Sequence, residues 1–333
     1  MVLCKIPTTV ASATKCGEEF ANDNKVSSIA LGMIDVGNTA LESDLKASKK
    51  PLFQGISITT VDDADPYNHI LLATNTGIAS PMATLAKKYL HAKSVSLIFP
   101  SNEPAEVLGA DIVAAALKHL SVTVYKVGFT SSVANLTEPF DAAHVATTTM
   151  MIMFNSGGPA CSDTYLTLKS LGLSAKKVLV NAPCDTPTVA KGDGGTLPTG
   201  WYYASVSESQ VKSPTTRTAH AVYNVASEYG DATVGVNPNT LNAFGVILTM
   251  AKFDTEILKA HEKISPARVM ARAKAFKGPV LIGSPHIDCG GYPRTGPAAC
   301  NVLEKFFQTR KGVLKDVTPW LKPPKGFTRP STP

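Results

Sequence analysis

The chain has 333 residues, 44% hydrophobic and 17% charged, with a formal net charge of +6. That length supports two domains with cores of their own, and with no run of eighteen apolar residues the sequence offers no membrane-spanning helix. Lysines and arginines are dispersed. The densest groups, Lys46/Lys49/Lys50 and Lys322/Lys325, are short and lack interleaved aromatics, which argues for a solvated basic surface and against nucleic acid as a partner.

In chain order, "MVLCKI" leads into a helix over roughly 10–23, and "VSSIALG" (26–32) reads as a strand. A helix over 39–48 and a strand "PLFQGIS" (51–57) follow. Residues 58–75 are polar and irregular, with one short strand around "HILLAT". From residue 94 the pattern sharpens: "SVSLIF" (94–99) is a strand, and Leu108, Ile112, Ala116 and Leu120 recur at the i, i+4 spacing of a helix. "TVYKVGF" (123–129) is a strand, "DAAHVA" (141–146) a short helix and "TMMIMFN" (149–155) a strand. "CSDTYLTLKSLGL" (161–173) is a helix ending at Gly172, before strands "KVLVNAP" (177–183) and "GWYYASV" (200–206). Helices over roughly 214–229, 238–260 and 265–276 come next, then "GPVLIG" and short elements. Strands alternating with helices at these lengths predict βαβ units and parallel sheets, in two α/β halves.

Catalytic signatures are missing. No GxGxxG opens a helix, no GxxxxGK[ST] or GxSxG occurs, and the seven histidines form no HxH or HxxxH pair. The acidic stretch "VDDADP" (61–66) lacks EF-hand spacing and reads as a solvated turn. No catalytic residue, metal or cofactor is therefore expected. What remains is a set of strand ends rich in hydroxyls and amides: "GMIDVGNT", "GISITT", "PSNEPAE", "NSGGPACS" and "NAPCDTP". Ligands of parallel sheets bind beyond the carboxyl ends of the strands, where such groups form hydrogen bonds. Helix capping is the competing explanation at each position taken singly.

The six cysteines, Cys4, Cys16, Cys161, Cys184, Cys289 and Cys300, contain no CxxC half-site, and no histidine stands at ligand spacing from them. Sequence separation favours nearest-neighbour bridges, with six buried thiols as the alternative. Cys161 and Cys184 emerge at one edge if their flanking strands are parallel neighbours. Bridges imply an oxidising compartment. The stretch "MVLCKIPTTVASATKC" (1–16) has no signal-peptide pattern.

Several long stretches then carry a family likeness. "VSSIALGMIDVGNTALESDLKASKKPLFQGIS" resembles the first lobe of the branched-chain amino-acid-binding type of extracytoplasmic solute-binding protein, which serves ABC importers. "SVSLIFPSNEPAEVLGADIVAAALKHLSVTVYKV" and "MMIMFNSGGPACSDTYLTLKSLGLSAKKVLVNAPCDTPTVAK" are similar to its second lobe. "NPNTLNAFGVILTMAKFDTEIL" and "ISPARVMARAKAFKGPVLIG" are similar to its return into the first. The likeness spans nearly the whole chain through element order more than through any short motif.

The resemblance implies a type I periplasmic-binding (Venus-flytrap) fold: two doubly wound, Rossmann-like lobes with three hinge crossovers, closing on a small solute. It assigns 1–76 plus 207–283 to lobe 1, 77–206 plus 284–321 to lobe 2, and a disordered tail to 322–333. By position it implies ligand contacts from Asp35, Asn38, Thr39, Ser57, Thr59, Asn155 and Ser156, with Asp185 as the acid facing a ligand ammonium. Its implied partners are a small-molecule solute and the membrane subunits of an ABC permease, with the receptor a monomer. Two departures stand out: "SNEPAE" offers no aromatic to stack on a ligand, and the family's N-terminal βα unit is missing before Met1. The expectation is a reading frame that starts upstream, with that unit and an export signal of lipoprotein type, placing the protein outside the cytoplasm. A sensory domain of the same fold and a doubly wound α/β enzyme are the alternatives. The first would call for a membrane span or DNA-binding motif, the second for a nucleophile–base pair or phosphate loop.

Overall fold

A computed structural model describes residues 2–330 apart from 8, 33, 35, 132–134, 156–157, 186, 193, 209–216, 230–237 and 293–294. The chain divides into two compact units and crosses between them three times. The first comprises Met1–Asn75 and Ser207–Val302, the second Thr76–Val206 and Leu303–Pro333.

In the first unit, helix α1 (Val10–Asn22) precedes strand β1 (Ile29–Leu31), α2 (Asn38–Ala47) and β2 (Leu52–Ile56). The stretch read as irregular holds α3 (Thr60–Ala64) and β3 (Asn68–Ala73). The three strands are parallel in the order β1-β2-β3. Successive side chains of β2 face opposite ways, as strand geometry requires. Leu52 packs with Leu41 and Leu45 of α2, while Phe53 meets Phe253 of α10 (Pro238–Lys259) at 5.5 Å between ring centroids. Helices α9 (Arg217–Tyr229) and α11 (Pro266–Lys274) complete the unit's named elements. Positions 214–216 of the expected α9 lie outside the described residues. Lys50 is buried, not part of the basic surface proposed from sequence. Its ammonium donates to the carbonyls of Phe20, Ala21 and Asp23, closing the C-terminal end of α1 where helix carbonyls lack partners.

In the second unit, α4 (Asn75–Thr84) runs into a π-helical turn, Leu85–Tyr89. The sequence does not announce this helix, because Gly77 and an internal Pro81 oppose helix formation; burial of Ala79, Met82, Ala83 and Ala86 outweighs that preference. Next come β4 (Ser94–Pro100), α5 (Pro104–His119), β5 (Thr123–Phe129), α6 (Thr137–Ala142), β6 (Met150–Met153), α7 (Gly158–Ser170), β7 (Val178–Asn181), α8 (Pro187–Gly192) and β8 (Tyr202–Ser205). Helix α6 starts four residues before the expected 141–146, with Leu136, Phe140 and Ala143 presenting one buried face. A hairpin of β9 (Lys305–Arg310) and β10 (Val313–Asp316) closes the sheet, whose order is β10-β9-β8-β7-β6-β4-β5. Strands β4 to β8 are parallel, and β9 and β10 are antiparallel additions.

Alternation divides this sheet between two helical layers. Val95, Leu97, Met150 and Ile152 pack with α4 and α5, whereas Ile98, Met151, Met153 and Val180 pack with α6 and α7.

Two parts of the expected domain division are corrected. Residues 284–302 group with the first unit, because Ala298 and Cys300 hydrogen-bond to Ile70 and extend the free edge of β3. The tail is not disordered from 322: Thr84 Oγ1 donates to the Lys322 carbonyl at 2.9 Å, and Phe327 lies against His119 in an edge contact.

Candidate functional site

The strand ends of each unit gather polar side chains in a different way. In the first unit, Asn38 opens α2 immediately after β1's loop, while Ser57 and Thr59 follow β2. Asn38 is 4% exposed and its Nδ2 donates to Ile34 O and to Asp62 Oδ1 at 2.9 and 2.8 Å. Ser57 is buried; its hydroxyl donates to Asp63 and accepts from the Asn75 N–H. Thr59 caps α3, accepting from Asp62 N–H, while Asp62 Oδ2 accepts from the Ile58 and Thr59 N–H groups. Thus Asn38, Ser57 and Thr59 converge on an Asp62–Asp63 pair. Thr39 is exposed and lies apart from that network, and Asp35 lies outside the described residues.

This overturns the reading of "VDDADP" as a solvated turn: Asp62, Asp63 and Asp65 are 0%, 2% and 6% exposed. Buried Glu42 joins them. Asn68 Nδ2 donates to Glu42 Oε1, Gln54 Oε1 and the Asp62 carbonyl. Burial first, and then the Asp62 carboxyl beside it, push the Glu42 pKa up to about 10, so Glu42 keeps its proton at neutral pH.

In the second unit, strand order reverses at β4, which has β5 on one side and β6 on the other. Such a reversal makes the two outgoing loops diverge and opens a crevice at the strand carboxyl ends. Asn155 stands at that point, 2% exposed, with Nδ2 3.6 Å from Cys161 Sγ. Asn181, at the end of neighbouring β7, is buried with its Oδ1 unpartnered; the sequence placed it in the polar stretch "NAPCDTP" without singling it out as a ligand contact. Asp185 follows a 3-10 turn, Ala182–Cys184, and burial lifts its pKa to about 7. The Cys161–Cys184 disulfide, with a Cα separation of 5.5 Å, ties the loop carrying Asn155 to the one carrying Asp185. Ser156 lies outside the described residues. This rim supplies amide groups and a carboxyl that ionises near neutrality, a set suited to hydrogen-bonding a small polar solute.

All six cysteines are paired, as Cys4–Cys16, Cys161–Cys184 and Cys289–Cys300. The last pair brings a residue that spacing could not reveal. His69 of β3, 3% exposed, has a ring nitrogen within 4.8 Å of both sulfurs. Its Nε2 lies 3.1 Å from Met270 Sδ, and burial, with Lys274 as a lesser cause, lowers its pKa to about 4.

Parallel sheets with helical layers, a strand-order reversal at a polar rim and three crossings between units define the type I periplasmic-binding fold. No family model matches the chain, and no curated protein matches it by sequence. Among solved structures it is similar to the leucine-binding protein LivK of Thermotoga maritima, at 15% identity and a TM-score of 0.74, covering 97% of this chain and 87% of that one. It is also similar to a Thermus thermophilus branched-chain amino-acid ABC transporter protein with bound valine, at 15% identity and TM-score 0.68, covering 94% and 82% of the two chains. A Rhodopseudomonas palustris ABC transporter solute-binding protein in complex with 4-hydroxybenzoate matches at 18% identity and TM-score 0.71, covering 95% and 84%.

Proposed function

We propose that the protein is a non-enzymatic, extracytoplasmic solute-binding protein that delivers a small amino-acid-like, carboxylate or amide ligand to the membrane subunits of an ABC importer. Hinge closure on the solute shifts an open–closed equilibrium, and the receptor acts as a monomer. The observation that carries this reading is a fold shared over more than nine-tenths of the chain with LivK and with binding proteins holding valine and 4-hydroxybenzoate. Both of those bound compounds carry a carboxylate. The three disulfides support a location outside the cytosol. No described helix is long and apolar enough to cross a membrane.

On this reading Asn155, Asn181 and Asp185 of the second unit bind the solute's polar end. Asn38, Ser57 and Thr59 act mainly by shaping the first unit's rim, since their side chains already hold Asp62 and Asp63. A thermal-shift screen with aliphatic amino acids, hydroxybenzoates and amides tests the proposal. One ligand class is expected to stabilise the chain by about 2.7 kcal/mol at a hundred times its Kd. Because Asp185 ionises near pH 7, an ammonium-bearing ligand is expected to bind more tightly as pH rises through that value, and Asp185→Asn to flatten the profile. No shift across the panel, or chemical turnover of a stabilising compound, would overturn the reading.

A further inference from the structure

Four soft or borderline donors from distant parts of the sequence meet in the interior of the first unit. His69 lies on β3, Met270 on α11, and Cys289 and Cys300 flank the segment that docks on β3. Their exposures are 3%, 9%, 5% and 0%. His69, Cys289 and Cys300 each offer a ligand atom within 4.8 Å of the others, and the Met270 sulfur is 3.1 Å from His69 Nε2. The Phe53 ring stacks on the imidazole at 5.3 Å, fixing its plane. With the bridge closed, the two sulfurs bond to each other and are poor ligands.

We propose that opening the Cys289–Cys300 bridge turns this cluster into a site for Cu(I), with two thiolates, the His69 imidazole and the Met270 thioether as donors. Opening requires a dithiol reductant. It passes two electrons and two protons to the bridge, the sulfur–sulfur bond breaks into two thiols, and the reductant becomes a disulfide. Cu(I) then replaces the two thiol protons, which leave to solvent, and its oxidation state does not change. The donor set narrows the metal: two thiolates and an imidazole suit Zn2+ as well as Cu(I), the Met270 thioether is the soft donor that favours Cu(I) over Zn2+, and hard cations would require the oxygen ligands this set lacks. Burial shields the bound ion from water, and a neutral imidazole is the form that donates a lone pair. The site belongs to the first unit alone and is independent of the solute-binding reading.

The test is an anaerobic titration of the full chain with Cu(I) held by a chromophoric chelator, before and after dithiol reduction. The reduced chain is expected to withdraw one more equivalent of Cu(I) than a reduced Cys289→Ser/Cys300→Ser variant, which controls for the other four cysteines. The oxidised chain is expected to withdraw none. His69→Ala and Met270→Leu are each expected to weaken that equivalent about tenfold or more. Met270→Leu conserves volume, so it keeps the test decisive even where His69→Ala fails to fold. Equal Cu(I) uptake by the reduced parent and the serine variant, or an affinity unchanged by Met270→Leu, overturns the site.

Discussion

Glu42 shows how far a side chain's surroundings can depart from what its neighbours in sequence suggest. It lies on α2 in a stretch rich in polar residues, yet it is 2% exposed and keeps its proton up to about pH 10. The unfolded chain gives up the same proton near pH 4.5. Between those values the folded state binds more protons, so this group's contribution is full below pH 4.5 and declines as pH rises toward 10. Glu42→Gln removes the dependence while keeping the shape. Thermal unfolding of variant and parent at a series of pH values should show a melting-temperature gap that widens in the variant's favour from about pH 5 to about pH 9; parallel curves would contradict the assignment. Asn38, Ser57 and Thr59, named from sequence at separate strand ends, lie close together around Asp62 and Asp63. Sequence could not show that they turn inward, because Asp62 and Asp63 read as a polar turn until α2 and β3 are packed over them.

Among elements, the segment from 284 to 302 departs most from its expected place. Apart from its two cysteines it has few apolar residues, so no periodicity assigns it to either unit. Its position is set by backbone hydrogen bonds to Ile70 and by Gly296. That glycine has φ +144°, and a Cβ there would stand 2.4 Å from the Asp63 carbonyl oxygen. Gly296→Ala is therefore expected to destabilise the chain by about 1–3 kcal/mol, read as a lower urea midpoint with unchanged slope. A midpoint equal to the parent's would mean that the segment docks by other means. The β9–β10 hairpin was legible in principle: Lys311 and Gly312, both at positive φ, form the two-residue turn between its strands. Helix α4 was not, since Gly77 and Pro81 disguise it and only burial against β4 and α5 reveals it.

At the scale of the whole molecule, each unit has its own buried core within one chain that passes between them three times. Independent cores depart from two-state unfolding unless coupling makes them one cooperative unit. Calorimetry of the ligand-free protein is expected to give a van't Hoff enthalpy below the calorimetric one; equal values would show a single cooperative transition. The alternation of strand and helix and the parallel sheets were determined by the sequence alone, which favoured nearest-neighbour cysteine bridges while leaving free thiols open. These readings depend on local periodicity and on short separations along the chain, both of which survive without knowledge of the fold. The tertiary structure alone decided the inward turn of Asn38, Ser57 and Thr59, the burial of Asn155 and Asn181 at the ends of β6 and β7, and the meeting of His69 with Met270 and the Cys289–Cys300 pair. Met270 stands 201 positions from His69. Spacing in sequence carries no information at such separations, because the packing of whole elements brings those atoms together.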